Sequence, residues 1–402
     1  MKLTRLFPAL SVRNYRKYWI MQWIALVGFW IQLTSQQWLV YEMTNSAILL
    51  GLLSTMQFLP SLLLTLFTGF LIDRHSKRKI LVGTQTLYML QAFLLACLLW
   101  SGHAAYGWIL FFAFFIGTID AIDMPTRLAF LPILVGKDYL HSAVALNSAN
   151  FNSTRMFGPL LAAFLLTYID YGSVFFLNAL SLIPICLTYL HMHVEEPKPT
   201  AHRKKAWHEI KEGIDCARRN PMIMGNLLSM AIVSGLILNF GTYGPLFADR
   251  ILHRGLSGFG VILFAIGVGS LAGGLLSAAG TKRTGRLWLY GFSITCGFLL
   301  SVISHTSFYI PSLILFGALG FFVILFMINC NTAIQLSTPP EYLGRIMSLY
   351  TFVFLGSAPF GSLLVSTIIE YIGTSMGLLA VGMIEILLLS FVEYNYRRCG
   401  TH

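Results

Sequence analysis

The 402-residue chain is short of charge. Asp, Glu, Lys and Arg make up 11% of it against 56% hydrophobic residues, and the mean hydropathy is +0.72. A soluble domain carries about a quarter charged residues. A water-soluble protein of this composition is therefore excluded, because its surplus apolar surface would have no solvent outside a bilayer. Also missing is any Gly-x-x-x-x-Gly-Lys-Ser/Thr element, which argues against an ATP-driven pump. The ten histidines and six cysteines make no tight ligand cluster; His191 and His193 alone would be a weak site, so neither metal nor cofactor is expected. No Ser/His/Asp arrangement and no clustered catalytic set at membrane depth stands out, which speaks against an enzyme. Cysteine spacing is unpaired, so free thiols are expected. No cleavable signal is visible; the basic stretch Met1 to Tyr18 runs into a full-length span expected to serve as its own insertion signal.

Long apolar runs take the place of what is missing. A hydrocarbon core about 30 Å thick needs roughly twenty apolar residues in a helix. Twelve such runs occur, near 18–41, 46–72, 80–100, 105–122, 140–168, 172–192, 222–248, 257–280, 287–305, 308–335, 342–370 and 374–394. The net charge of +11 would suit nucleic acid, but the basic residues sit in short gaps between these runs, so no nucleic-acid partner is expected. Of the 27 Lys and Arg, all but Arg155, Arg250 and Arg254 fall on one side of the implied topology. The positive-inside rule then places both termini in the cytoplasm.

The one long polar stretch divides the chain into a six-helix bundle over 1–192, a cytoplasmic linker over 193–221 and a second bundle over 222–402. Ile210 and Ile214, one turn apart in the linker, predict a short amphipathic helix. The halves repeat weakly. Gly69 through Lys79 after the second run is echoed by Gly274 through Arg283 after the eighth, with Ala278 and Ala279 replacing Asp73 and Arg74. Asp138-Tyr139-Leu140 is likewise matched by Glu341-Tyr342-Leu343. The expected fold is an all-α membrane protein with twelve transmembrane helices in two pseudo-symmetric six-helix bundles.

The residues also carry a family pattern. Gly-x-Leu-x-Asp-Arg-x-x-Lys-Arg-Lys at 69–79 resembles the loop motif of the major facilitator superfamily. Gln37 through Ser46, Gln57-Phe58-Leu59-Pro60, Pro125-x-Arg127, Gly158-Pro159 and Met347 through Ser362 are similar to its enterobactin-exporter-like branch, which includes macrolide efflux pumps. Ala162-Ala163 departs from that pattern, where many members have glycines. The resemblance implies a monomeric secondary exporter in a bacterial cytoplasmic membrane, moving a siderophore or similar secreted metabolite, with macrolide or multidrug efflux as the alternative. Its partners would be a small-molecule substrate, protons and the lipid bilayer.

Candidate site residues follow from membrane depth and spacing. Arg155 lies about fifteen residues into the fifth span, where an arginine costs roughly 2.5–3.5 kcal/mol, so it should face a cavity or a partner. Asn147 and Asn150 share its neighbourhood, and Gln32, Gln36 and Trp30 form a matching face on span one. Asn239, Tyr243, Asn331 and Gln335 are candidates for the opposite wall of a substrate site, although buried asparagines equally join helices. Asp73 is placed to cap the helix that begins near Leu343 and Gly344, and Arg74 and Arg78 to meet Asp120 or Asp123 in a gate. For proton coupling the candidates are Asp120, as a pair with Arg155, and Glu385, the one carboxyl deep in span twelve.

Overall fold

The computed structural model describes residues 7–196, 206–279 and 286–399. Part of the central linker and the end of the second loop repeat fall outside these residues. Those described form helices, with no strand among them. In order they are α1 (Arg13–Thr44), α2 (Ala47–Arg74), α3 (Lys77–Trp100), α4 (Tyr106–Leu165), α5 (Tyr171–Ser181), α6 (Ile183–His191) and α7 (Ala206–Arg219). The remainder are α8 (Pro221–Leu236), α9 (Phe240–Arg250), α10 (Gly255–Ala278), α11 (Arg286–Ile303), α12 (Tyr309–Ser337), α13 (Leu343–Ile372) and α14 (Thr374–Cys399).

Nine helical segments among the described residues are long and apolar enough to cross a membrane. One of them, α4, is 60 residues long and is broken at Gly136, whose φ of 71° lies where glycine is favoured. It therefore supplies two spans. The amide-rich α1 and the shorter α11 complete twelve, in agreement with the sequence. Span six is α5 plus α6 and span seven is α8 plus α9, each interrupted once.

The chain separates into two compact units, Met1–Met43 with Leu59–His202, and Thr44–Phe58 with Arg203–His402. Helix α2 is thus divided between them, two residues before Pro60. Hydrogen bonding explains why its first turns group with the second unit. The Glu370 carboxylate accepts from Ser46 Oγ (3.0 Å) and Ala47 N–H (2.7 Å), Thr55 donates to the Pro359 carbonyl (3.0 Å), and Ser54 meets Thr242 (3.2 Å). The four leading N–H groups of a helix lack intrahelical acceptors, so a carboxylate there satisfies them and favours the dipole.

The first unit uses the same device at α5. Asp170 accepts from the Ser173 hydroxyl (2.6 Å), the Ser173 N–H (3.1 Å) and Trp100 Nε1 (2.9 Å). Those bonds, led by the Ser173 hydroxyl, hold its carboxyl below the ordinary range. At the far end of this unit Glu196 accepts from Ser76 Oγ and the N–H groups of Lys77 and Arg78, closing the start of α3. The linker helix α7 lies in the second unit, where Glu212 pairs with Arg345 at 2.8 Å.

Candidate functional site: a charged face in the first unit

On the first limb of α4, Asp120, Asp123 and Arg127 recur at helical spacing and share a face. Asp123 is fully buried. One of its oxygens accepts from Thr84 (2.6 Å) and Gln85 (2.9 Å) of α3, and the other pairs with Arg127 Nε at 2.6 Å. Among the described residues Asp120 has a single donor, the Tyr88 hydroxyl. Tyr18 packs at a tilt against Tyr189, ring centres 6.0 Å apart, beside this cluster, and the Tyr189 hydroxyl is buried without a partner among the described residues. At 1.5 Å per residue Asp120 stands roughly 21 Å along α4 and Arg127 roughly 32 Å.

This placement corrects the sequence reading of span four. The helix does not end near 122; it carries Pro125 and Pro132 inside it and runs on to Gly136. Proline within a membrane helix is tolerated because neighbours re-satisfy the freed carbonyls. Arg127, assigned by sequence to the flanking loop, is instead drawn into the bundle by Asp123. Arg78 meets neither aspartate. Its guanidinium donates to the Met192 carbonyl, held there by the Glu196 cap on its own backbone. Asp73 and Arg74 are exposed at the end of α2.

Arg155 sits on the second limb of α4, four residues before Pro159. Proline has no N–H, so the Arg155 carbonyl loses its helical donor at this turn. The side chain is half-buried and has no hydrogen bond or ion pair among the described residues. The expected Asp120–Arg155 pair is therefore not formed; Asp120 is held by Tyr88 instead. One turn before Arg155, Phe151 packs edge-on against Trp30 at 5.7 Å, and Trp30 packs against Phe29 at 5.8 Å. Gly158 permits this approach, since a Cβ there would overlap that of Trp30. The Trp30 indole N–H is buried without an acceptor among the described residues. The Trp30 indole and the Phe151 ring thus meet where α1 crosses α4, one helical turn along α4 from Arg155.

The amides named with them behave differently. Gln32 accepts from Asn178 and donates to Gln91 (2.9 Å), and Gln36 donates to the Ile109 carbonyl (3.2 Å). Both are buried and join α1 to α3, α4 and α5 rather than facing open space. Asn150 donates to the Trp19 carbonyl (2.9 Å), its Oδ1 having no donor among the described residues, while Asn147 is half-buried.

In the second unit, Asn239 sits at the break between α8 and α9. Its oxygen accepts from Ser362 (2.7 Å) and its amide donates to the Gly235 carbonyl. Tyr243 is buried and donates to the Ile237 carbonyl at 2.8 Å. These two residues satisfy the interruption of span seven, which the apolar run did not reveal. Gln335 is exposed and donates to Asn331 at 2.6 Å one turn away on α12. Glu385 is fully buried on α14.

A twelve-span helical protein in two units, with charged groups inside its spans, has the architecture of the major facilitator class of membrane transporters. The fold is shared with the nucleoside transporter NupG, at a TM-score of 0.76 and 10% identity over 97% of this chain and 100% of that one. It is also shared with a bacterial homolog of the human lysosomal transporter Spinster, at 0.74 and 13% over 96% of each. The sequence matches the family described as transmembrane secretion effector over residues 4–399, and the chain belongs to that family. Relatives include the staphyloferrin A transporter of Staphylococcus aureus (strain NCTC 8325 / PS 47), 23% identical over 87% of this chain and 88% of that protein. Macrolide efflux protein A of Streptococcus pyogenes is 23% identical over 86% of each. The chain is an efflux-type major facilitator transporter.

Proposed function

We propose that this protein is a secondary active exporter of a siderophore or similar secreted metabolite, working by alternating access and driven by inward proton movement. It acts as a monomer in the bacterial cytoplasmic membrane with both termini inside. The observation that carries the cargo class is the half-buried Arg155, with no ion-pair partner among the described residues, one helical turn from the Phe151 ring that packs on Trp30. A cation deep in a span is expensive unless something pairs with it. An anionic, ring-bearing cargo would supply both the charge and the stacking surface, and the open Trp30 N–H offers it a donor.

Proton coupling falls to Asp120 by contrast with its neighbour. Asp123 is saturated by three donors, so protonating it would break an ion pair. Asp120 has one neutral donor, and can gain or lose a proton while Tyr88 merely adjusts its hydroxyl. Asp73 and Arg74 remain the proposed gate residues. The second reading, macrolide or multidrug efflux, is favoured by the relationship to macrolide efflux protein A and by the same aromatic surface.

Deletion of the gene separates the two. Loss of secreted iron chelator supports the first; antibiotic sensitivity with normal chelator secretion rejects it. Within the first reading, Arg155→Gln is expected to lower export at least tenfold at unchanged membrane abundance, with Arg155→Lys retaining part of the activity. Equal export by all three proteins would remove Arg155 from the site.

A further inference from the structure

The second unit contains a deeply placed carboxyl, a coupling candidate from the sequence that the proposed function does not use. Glu385 is fully buried on α14, and neither of its oxygens has a hydrogen-bond partner among the described residues. It points at α11, where a Cβ on Gly297 would overlap Glu385 Oε2 and would also meet the Gly382 carbonyl oxygen at 2.8 Å. The two helices therefore touch through Gly297 and Gly382, and the carboxyl occupies the gap that those glycines leave.

Every nearby donor on α11 is already committed. Ser301 Oγ donates to the Gly297 carbonyl (2.9 Å), Cys296 Sγ to the Phe292 carbonyl (3.2 Å), and Ser293 Oγ to carbonyls of its own preceding turn. Among titratable groups on the helices packed against α14, Cys296 is adjacent and Tyr243 lies beyond it, its hydroxyl given to Ile237. Arg345 and Glu370 stand near opposite ends of α13, Arg345 engaged by Glu212 and Glu370 by Ser46 and Ala47. Helix α8 carries no charged residue.

A carboxylate removed from water, with no donor and no cation, is the costliest state a polar group can occupy. One small cation resolves it. A hard metal ion would require about six oxygen ligands, many more than the two carboxylate oxygens supply. A proton needs one oxygen to bind, and the neutral acid then formed removes the buried charge.

We propose that Glu385 is a second proton-binding site, so that the transporter carries two protons per cycle, one on Asp120 in the first unit and one on Glu385 in the second. This rests on proton-driven export, but the test does not require the cargo. Purified full-length protein in detergent is taken from alkaline to acid pH, proton uptake per chain is measured, and infrared difference spectra report the carbonyl stretch of protonated carboxyls. Wild type, Glu385→Gln and Asp120→Asn are compared. Each variant is expected to take up one proton fewer per chain than wild type and to lose a different carbonyl band. The glutamine variant keeps the shape of the side chain, and its thermal unfolding checks that it is folded. Uptake and bands unchanged in Glu385→Gln would overturn the proposal. So would a Glu385 band present at every pH, which marks a fixed structural acid. Failure of the export reading shows instead as chelator secretion that stays normal when the gene is deleted, with both bands intact.

Discussion

The two units solve the same problem, holding six helices together inside a bilayer, with different chemistry. The first keeps charge inside: Asp123 and Arg127 neutralise each other, Asp120 leans on Tyr88, and Arg155 stands unpaired. The second holds its helices by closeness. Glycine meets backbone at Gly235 with Gly361, Gly269 with Gly317, and Gly297 with Gly382, and its polar contacts are chiefly neutral, as in Asn239 with Ser362. Lipid tails are as apolar as leucine, so membrane helices associate through packing and hydrogen bonds rather than hydrophobic exclusion. The first unit has exchanged some of that packing for a cluster of charged groups, whereas the second sets a lone carboxyl, Glu385, among its glycine contacts. The second acts as the tightly packed counterpart.

Substitutions can break this contrast, from the largest expected effect downward. Asp123→Asn removes the partner of Arg127 and should destabilise the protein by roughly 3–5 kcal/mol, the usual result of orphaning one member of a buried pair. A thermal unfolding midpoint in detergent equal to wild type would show that the first unit does not depend on that pair. Gly361→Leu drives a side chain into the Gly235 backbone and should cost about 1–3 kcal/mol, the range for overpacking. A second unit that tolerated it would not be the close-packed one described here. Asn239→Ala leaves the Ser362 hydroxyl and the Gly235 carbonyl without their partner, for about 1 kcal/mol, read in the same assay.

The smallest effect belongs to Asp170, at the start of α5. Its carboxyl is held below its unfolded value of about 3.9. The stabilisation is thus complete above that pH and fades as the pH falls through the lower folded value. Asp170→Asn should therefore lower the unfolding midpoint slightly at neutral pH and not in strong acid. An unchanged midpoint at neutral pH would make the cap irrelevant to stability.

Much of the architecture was legible because a bilayer imposes length and polarity on every span. The twelve runs follow from that constraint, and the transporter class from the loop motif at 69–79 and the motifs that accompany it. Three features escaped it, each for a local reason. Pro125, Pro132, Arg127 and Lys137 look like loop chemistry, yet three of them lie inside a continuous limb of α4. The sign was there, since Asp123 and Arg127 stand four residues apart and pair across one turn. The break at Asn239 was hidden within an unbroken apolar run, because hydropathy does not see backbone conformation. Gln32 and Gln36 were placed on a binding face, but periodicity cannot tell an amide aimed at a cavity from one aimed at Asn178, Gln91 or Ile109.

Gly136 has a mechanical consequence. The limb that bears Asp120 and the limb that bears Arg155 are joined through one residue, whose φ of 71° and ψ of 175° cost an L-residue about 1–3 kcal/mol. A longer connection would absorb a shift of one helix as slack. An elbow with a single pair of soft dihedrals passes it on, so a displacement of the first limb is transmitted to the second as lever motion. An inserted Gly-Ser-Gly at this elbow would act as a clutch, leaving both limbs intact while disengaging one from the other.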